Sequence, residues 1–164
     1  MKRIISILLL LIFACTMVTS CSKFGSRQYV LDVLDAMDKG DDERFYKLLE
    51  DKIYDINRNP NLLIDRIVFF FPCVDNPLEK ACRLEQYDYV EALLNRGADP
   101  DGAKSETYTA LKVAAIFPDN NDSYKIAKLL IEYGASEKSI ERAYKRAIVF
   151  EAPQEFLDLL NPDK

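Results

Sequence analysis

Histidine is absent from the sequence. The commonest general base and the imidazole ligands of metal sites go with it. Glycine and proline are few, and neither a Gly-rich phosphate loop nor a Gly-x-Ser-x-Gly elbow occurs. No close pair of carboxylates sits in an apolar surround that would split their pKa values. Asp41-Asp42-Glu43, Asp119 and Asp122 fall at expected turns and helix starts, where water and the helix dipole account for them. The run "DNND" lacks the spacing and the final bidentate Glu of an EF-hand loop. No catalytic residue, metal ligand or cofactor is expected. What remains, about half apolar residues over 164 positions, is the composition of one globular domain.

The first twenty residues are set apart. Lys2 and Arg3 precede an apolar run from Ile4 to Val18, too short for a comfortable bilayer span and flanked as an export signal is. Val18-Thr19-Ser20-Cys21 resembles the lipobox of bacterial lipoproteins. That resemblance implies cleavage after Ser20 and acylation of Cys21; the alternative is an ordinary signal peptide with Cys21 as a bystander. Three acyl chains, at about 0.8 kcal/mol per CH2, would hold a domain on a membrane. The expected location is therefore a bacterial membrane, lipid-anchored and extracytoplasmic. With Ser22 and not Asp after the cysteine, it is the outer membrane in a Gram-negative host. Removing residues 1–20 leaves 20 basic against 27 acidic side chains, a net charge near −7. A nucleic-acid partner is thus not expected, since phosphate binding needs a basic face. Of the remaining cysteines, Cys73 and Cys82, the second falls where a helix contact wants a small apolar residue, so a thiol is expected in preference to a disulfide.

Two stretches share one ending. "ALLNRGADPD" (92–101) and "KLLIEYGAS" (128–136) each run from leucines into Gly-Ala, the signature of a helix closed by a left-handed C′ glycine. Upstream, "NPLEKAC" (76–82) and "TALKVAA" (109–115) begin 33 residues apart. Thirty-three is the ankyrin period. The first unit resembles an ankyrin repeat nearly end to end: Pro77-Leu78 stands for the Thr-Pro-Leu-His core, Ala81 and Cys82 for the small pair, and "DYVEALLNRGADPD" for second helix and loop. The second keeps Thr109, Leu111, Ala114 and Ala115. Gly134 follows Thr109 by 25 residues, against 21 from Asn76 to Gly97, so four residues are inserted, in "FPDNND". Glu79 and Lys112 occupy the motif's histidine position, which puts its loop-bracing hydrogen bonds in doubt.

Small residues at 81, 82, 114 and 115 let two short antiparallel helices approach, and Leu93, Leu94, Leu129 and Leu130 supply a ridge that only a neighbouring unit can cover. Weaker copies flank these two. Residues 33–57 carry Ala36, Met37, Gly40, Phe45, Leu48 and Leu49; residues 139–160 carry Ile140, Ala143, Tyr144, Phe156, Leu157, Leu159 and Leu160. Terminal repeats are expected to degenerate in this way. Segment 58–75 does not fit the period. It reads as an extra helix between Asn59-Pro60 and Pro72, buried against the stack, or as an apolar patch around Phe69, Phe70 and Phe71.

The expected fold is all-α, an ankyrin-like α-solenoid of about four helix-pair units with degenerate caps: a linker over 21–27, then a repeat domain over 28–164 with full repeats at 76–108 and 109–138. The resemblance implies a monomeric protein-binding module and no enzyme. It places the concave binding surface at Asp75, Lys80, Arg83 and Leu84, and at Ser105, Glu106, Tyr108, Val113, Ile116 and Phe117, with Tyr108 the first choice for mutation. Phe117 packing under the insertion is the alternative for that residue. The leading expectation is a membrane-tethered adaptor for an envelope or host protein. The alternative is an inhibitor or immunity protein that blocks a toxin or hydrolase, for which the acidic balance suits a basic target. An enzyme would need a carboxylate pocket that the sequence does not announce.

Overall fold

The computed structural model describes residues 26–57, 76–102, 109–116 and 121–161. The expected signal peptide, the lipobox-like segment with Cys21, Cys73, the 58–75 segment and the candidates Asp75, Ser105, Glu106, Tyr108 and Phe117 lie outside them. Among the described residues there are eight helices and no strand: α1 (26–39), α2 (Asp42–Glu50), α3 (Pro77–Arg83), α4 (Tyr87–Asn95), α5 (Ala110–Ala114), α6 (Asn121–Glu132), α7 (Glu137–Val149) and α8 (Gln154–Leu160). They form four pairs. Helices α3, α5 and α7 pack side by side as one row, and α2, α4 and α6 as a second row behind it. This is the all-α solenoid the repeat period predicts. Ser26 and Arg27, expected in the linker, already belong to α1, and Ser26 is buried there.

The local chemistry of each boundary is readable. Asn76 and Thr109 cap α3 and α5 by accepting from the Glu79 and Lys112 backbone N–H groups at 2.8 and 3.3 Å. Pro77 takes the first helical turn, where its missing N–H costs nothing. At the far end of α4, Gly97 at φ 96° lets its own N–H reach Leu94 O, while Ala98 N–H reaches Leu93 O, both at 2.9 Å. Gly134 at φ 91° closes α6 in the same way. These are Schellman endings, and the left-handed conformation they need is open to glycine at little cost.

Between the helices of a pair the same ending recurs with different residues. Gly40 supplies it after α1, but Glu85 at φ 55° and Glu151 at φ 53° supply it after α3 and α7. A side chain in that region carries steric strain of roughly 1 to 2 kcal/mol.

The core is where the leucine ridge and the small pairs require it. Ala81, Cys82, Ala114 and Ala115 are buried, as are Leu93, Leu94, Leu129 and Leu130. The degenerate units obey the same rule: Ala36, Met37, Phe45 and Leu49 are buried in the first, and Ala143, Phe156 and Leu160 in the last. Cys82 is a free thiol, pushed well above its usual range by burial and then by the nearby Glu79 carboxylate. It acts as a small apolar filler.

Aromatic rings join successive units. Phe45 of α2 meets Tyr89 of α4 with centroids 4.2 Å apart, and Tyr124 of α6 meets Phe156 of α8 at 6.2 Å. Tyr89 also donates its hydroxyl to Asp42. Burial, and then that carboxylate, push the phenol up to about 12.

Candidate protein-binding face

The stack has two edges of different chemistry. On one, the loops that follow each pair lie together and are fastened across units. Asn57 donates from Nδ2 to Gly97 O at 3.0 Å and accepts from Asp99 N–H at 2.7 Å. Arg96 donates from Nη2 to the Asp51 and Tyr54 carbonyls, 2.7 and 2.9 Å away. One unit further, Asp101 accepts from Ser136 N–H at 3.0 Å. Burial raises the pKa of Asp101, but hydrogen bonds from Ser139 and Ser136 outweigh it and hold the carboxyl below the usual range.

Glu79, at the motif's histidine position, is bonded to the cap of its own helix. Its carboxylate completes a capping box with the Asn76 N–H and lies against the next loop. A Cβ on Gly102 would come 3.0 Å from Asn76 Nδ2 and 3.1 Å from Glu79 Oε1. An acidic side chain thus stands close to Gly102 at the motif's histidine position.

The opposite edge is made by the C-terminal ends of the first-row helices and the turns after them. Leu84 is 38% exposed at the end of α3, and Val149 and Phe150 are 72% and 39% exposed at the end of α7. Ile116 is half-buried just past α5. These are equivalent places in successive units. Arg83, Ile116 and Val149 stand 33 residues apart, and Leu84 and Phe150 stand 66 apart, as do the left-handed Glu85 and Glu151. A stripe with a strong apolar share therefore runs along the turn edge, flanked by exposed Arg83 and by Arg146, whose guanidinium lies 4.7 Å over the Phe150 ring.

The sequence-derived candidates divide on this face. Leu84, Arg83 and Ile116 belong to the stripe. Lys80 is mostly covered and forms an ion pair with Asp38 of α1. Val113 does not present itself: at 2% exposure its side chain is packed into the core. It sits one period after Lys80, but a valine there meets apolar neighbours where the lysine stem reaches an aspartate. Val149 and Phe150 were not among the candidates. Carrying the 33-residue step once more from Ile116 and Phe117 would have found them.

Behind the turns, an open groove of about 580 Å³ is lined by Asp42, Tyr46, Glu85, Tyr87, Asp88 and Asp122, with Lys125 as its basic residue. Asp42, Asp88 and Asp122 each sit in the first turn of a second-row helix, where the helix dipole favours them. No group of three or more metal-ligating side chains occurs among the described residues. No helix among them is long and apolar enough to cross a membrane.

No curated protein and no solved structure matches the chain. A family described as ankyrin repeats (3 copies) matches residues 34–141, which spans both central pairs, most of the first and the start of the last. Such repeats are protein-interaction modules that typically carry no catalytic chemistry. With the 33-residue period, the capped helix pairs and the stacked rows agreeing with that match, the chain belongs to the ankyrin-repeat family.

Proposed function

We propose that this protein is a binding module tethered to a bacterial membrane by lipid on Cys21, and that it takes its protein partner along the turn edge. The observation that carries the second part is the stripe of Leu84, Ile116, Val149 and Phe150, set at two adjacent register positions in three successive units. Apolar side chains that a fold leaves in water at repeating positions contribute little to its own stability, and interface energy concentrates in such groups. The lipobox-like Val18-Thr19-Ser20-Cys21 after a short apolar run supports the tether. Phe117, one residue after Ile116, belongs to the same proposed surface by sequence.

A photo-crosslinker placed at position 149, and in a second strain at 117, should capture one protein in living cells. Leu84→Ser with Val149→Ser should weaken that partner at least tenfold, about 1.4 kcal/mol, while thermal unfolding stays unchanged. Capture and affinity that both survive the double substitution would overturn the turn-edge assignment. Separately, Cys21→Ser should abolish acylation and move the protein out of the membrane fraction.

The acid-lined groove and the net charge near −7 after processing favour a second reading, an inhibitor of a basic toxin or hydrolase. Stoichiometric loss of the captured partner's activity would select it over the adaptor.

A further inference from the structure

Ile53 is 86% exposed, more than any other large apolar side chain among the described residues. It does not sit on a loose loop. Its own N–H is held by Asp51 Oδ1 at 3.0 Å, and the carbonyls of Asp51 and Tyr54, on either side of it, both accept from Arg96 Nη2. Tyr54 stacks on Tyr29 of α1 with centroids 5.5 Å apart. A braced loop therefore displays an isoleucine to water at the loop edge, far from the stripe on the turn edge.

The position of this loop relative to the chain start is the second observation. Asp55 N–H donates to Ser26 Oγ at 3.3 Å, which pins the loop to the first described turn of α1. Ser26 is five residues from Cys21. Even fully extended, those residues reach at most about 18 Å, and Ile53 is only two residues along the loop from Asp55. Any membrane that holds Cys21 by its lipid is consequently within a short tether of Ile53.

Resting on the lipid anchor proposed above, we infer that Ile53 is a membrane-contacting tip, which docks the loop edge against the bilayer and fixes the orientation of the domain. The contact is apolar. Lys52 beside it is offset by Asp51 and Asp55, so neutral phospholipid suffices and salt has little effect. A single isoleucine would not bind a membrane from solution, but the tether makes its insertion an intramolecular event at high effective concentration.

The chain contains no tryptophan, so single reporters are available. Acylated Ile53→Trp and Val149→Trp proteins, purified from membranes, are reconstituted into phosphatidylcholine vesicles carrying brominated acyl chains. The expected result is flotation of both with the vesicles, at least twofold stronger bromine quenching of the Ile53→Trp reporter than of the Val149→Trp one, and no change of the ratio in high salt. Lys52→Trp serves if Ile53→Trp does not fold. Flotation with neither reporter quenched, or with both quenched alike, overturns the contact and leaves the anchor standing. Shielding of the Ile53→Trp reporter from aqueous iodide before lipid is added also overturns it, because protein would then cover the tip. Flotation that is the same for Cys21→Ser as for the acylated protein removes the anchor and this inference with it.

Discussion

The loop edge and the turn edge are built from the same repeated unit, yet they are closed differently. At the loop edge, polar side chains reach from one unit to the next: Asn57 to Gly97 and Asp99, Arg96 to Asp51 and Tyr54, Asp101 to Ser136. At the turn edge, the turns themselves close on backbone bonds within each unit, as at Glu85 and Glu151, with the Tyr89 hydroxyl reaching Asp42 of the preceding unit beside them. Cross-unit fastening makes neighbours fold together; at the turns the chain reverses on its own backbone, and Leu84, Val149 and Phe150 stand exposed there. The difference separates a loop edge clamped across units from exposed stripe side chains, Leu84, Val149 and Phe150, that can be varied without loosening it.

Three substitutions or conditions sharpen that contrast. Arg96→Ala should have the largest effect, because it removes two charge-assisted bonds to half-buried carbonyls and leaves them unsatisfied. A loss of about 2 to 3 kcal/mol is expected by urea unfolding. A loss below about 0.5 kcal/mol would mean that the loop edge is not what couples the first two units.

Acid should weaken the next fastening. The folded pKa of Asp101 is held below its unfolded value, so the stability it contributes is present above about pH 4. That contribution disappears as pH falls through the lower folded value. The stability difference between the native chain and Asp101→Asn, measured by chemical unfolding, should therefore be larger at pH 7 than at pH 3. An unchanged difference would contradict the hydrogen-bonded carboxylate.

Glu85→Gly should act in the opposite sense and be the smallest. Relief of the left-handed strain at φ 55° outweighs the added freedom of the unfolded glycine, for a gain of roughly 0.5 kcal/mol. A destabilised Glu85→Gly protein would show that the Glu85 side chain holds the turn in place.

Much of the framework was legible because it depends on neighbours in sequence. Asn76 and Thr109 announce helix starts, Gly97 and Gly134 announce helix ends, and the small pairs 81–82 and 114–115 announce close packing. All of these are properties of a few adjacent residues and a 33-residue step. The face was less legible. Val113 occupies a framework position exposed by analogy, but whether a side chain there turns to water depends on the helix packed against it. The clamps of Asn57 and Arg96 act on residues some forty positions away, and no local pattern signals such reach. Glu85 hides its left-handed backbone behind a residue type that ordinarily avoids it. Val149 and Phe150 were within reach of the period but fell in a unit whose framework residues had degenerated.

Helix α1 carries the chain from one edge to the other. At about 1.5 Å per residue, its fourteen described residues set Gly40 about 20 Å from Ser26. Helices α3, α5 and α7 run in the same sense, so the Leu84-like positions lie at the far edge from the Ser26 end of α1. Under the tether proposed for Cys21, that length of helix would act as a pedestal, and a partner arriving from the open side would meet the apolar stripe before it met the membrane.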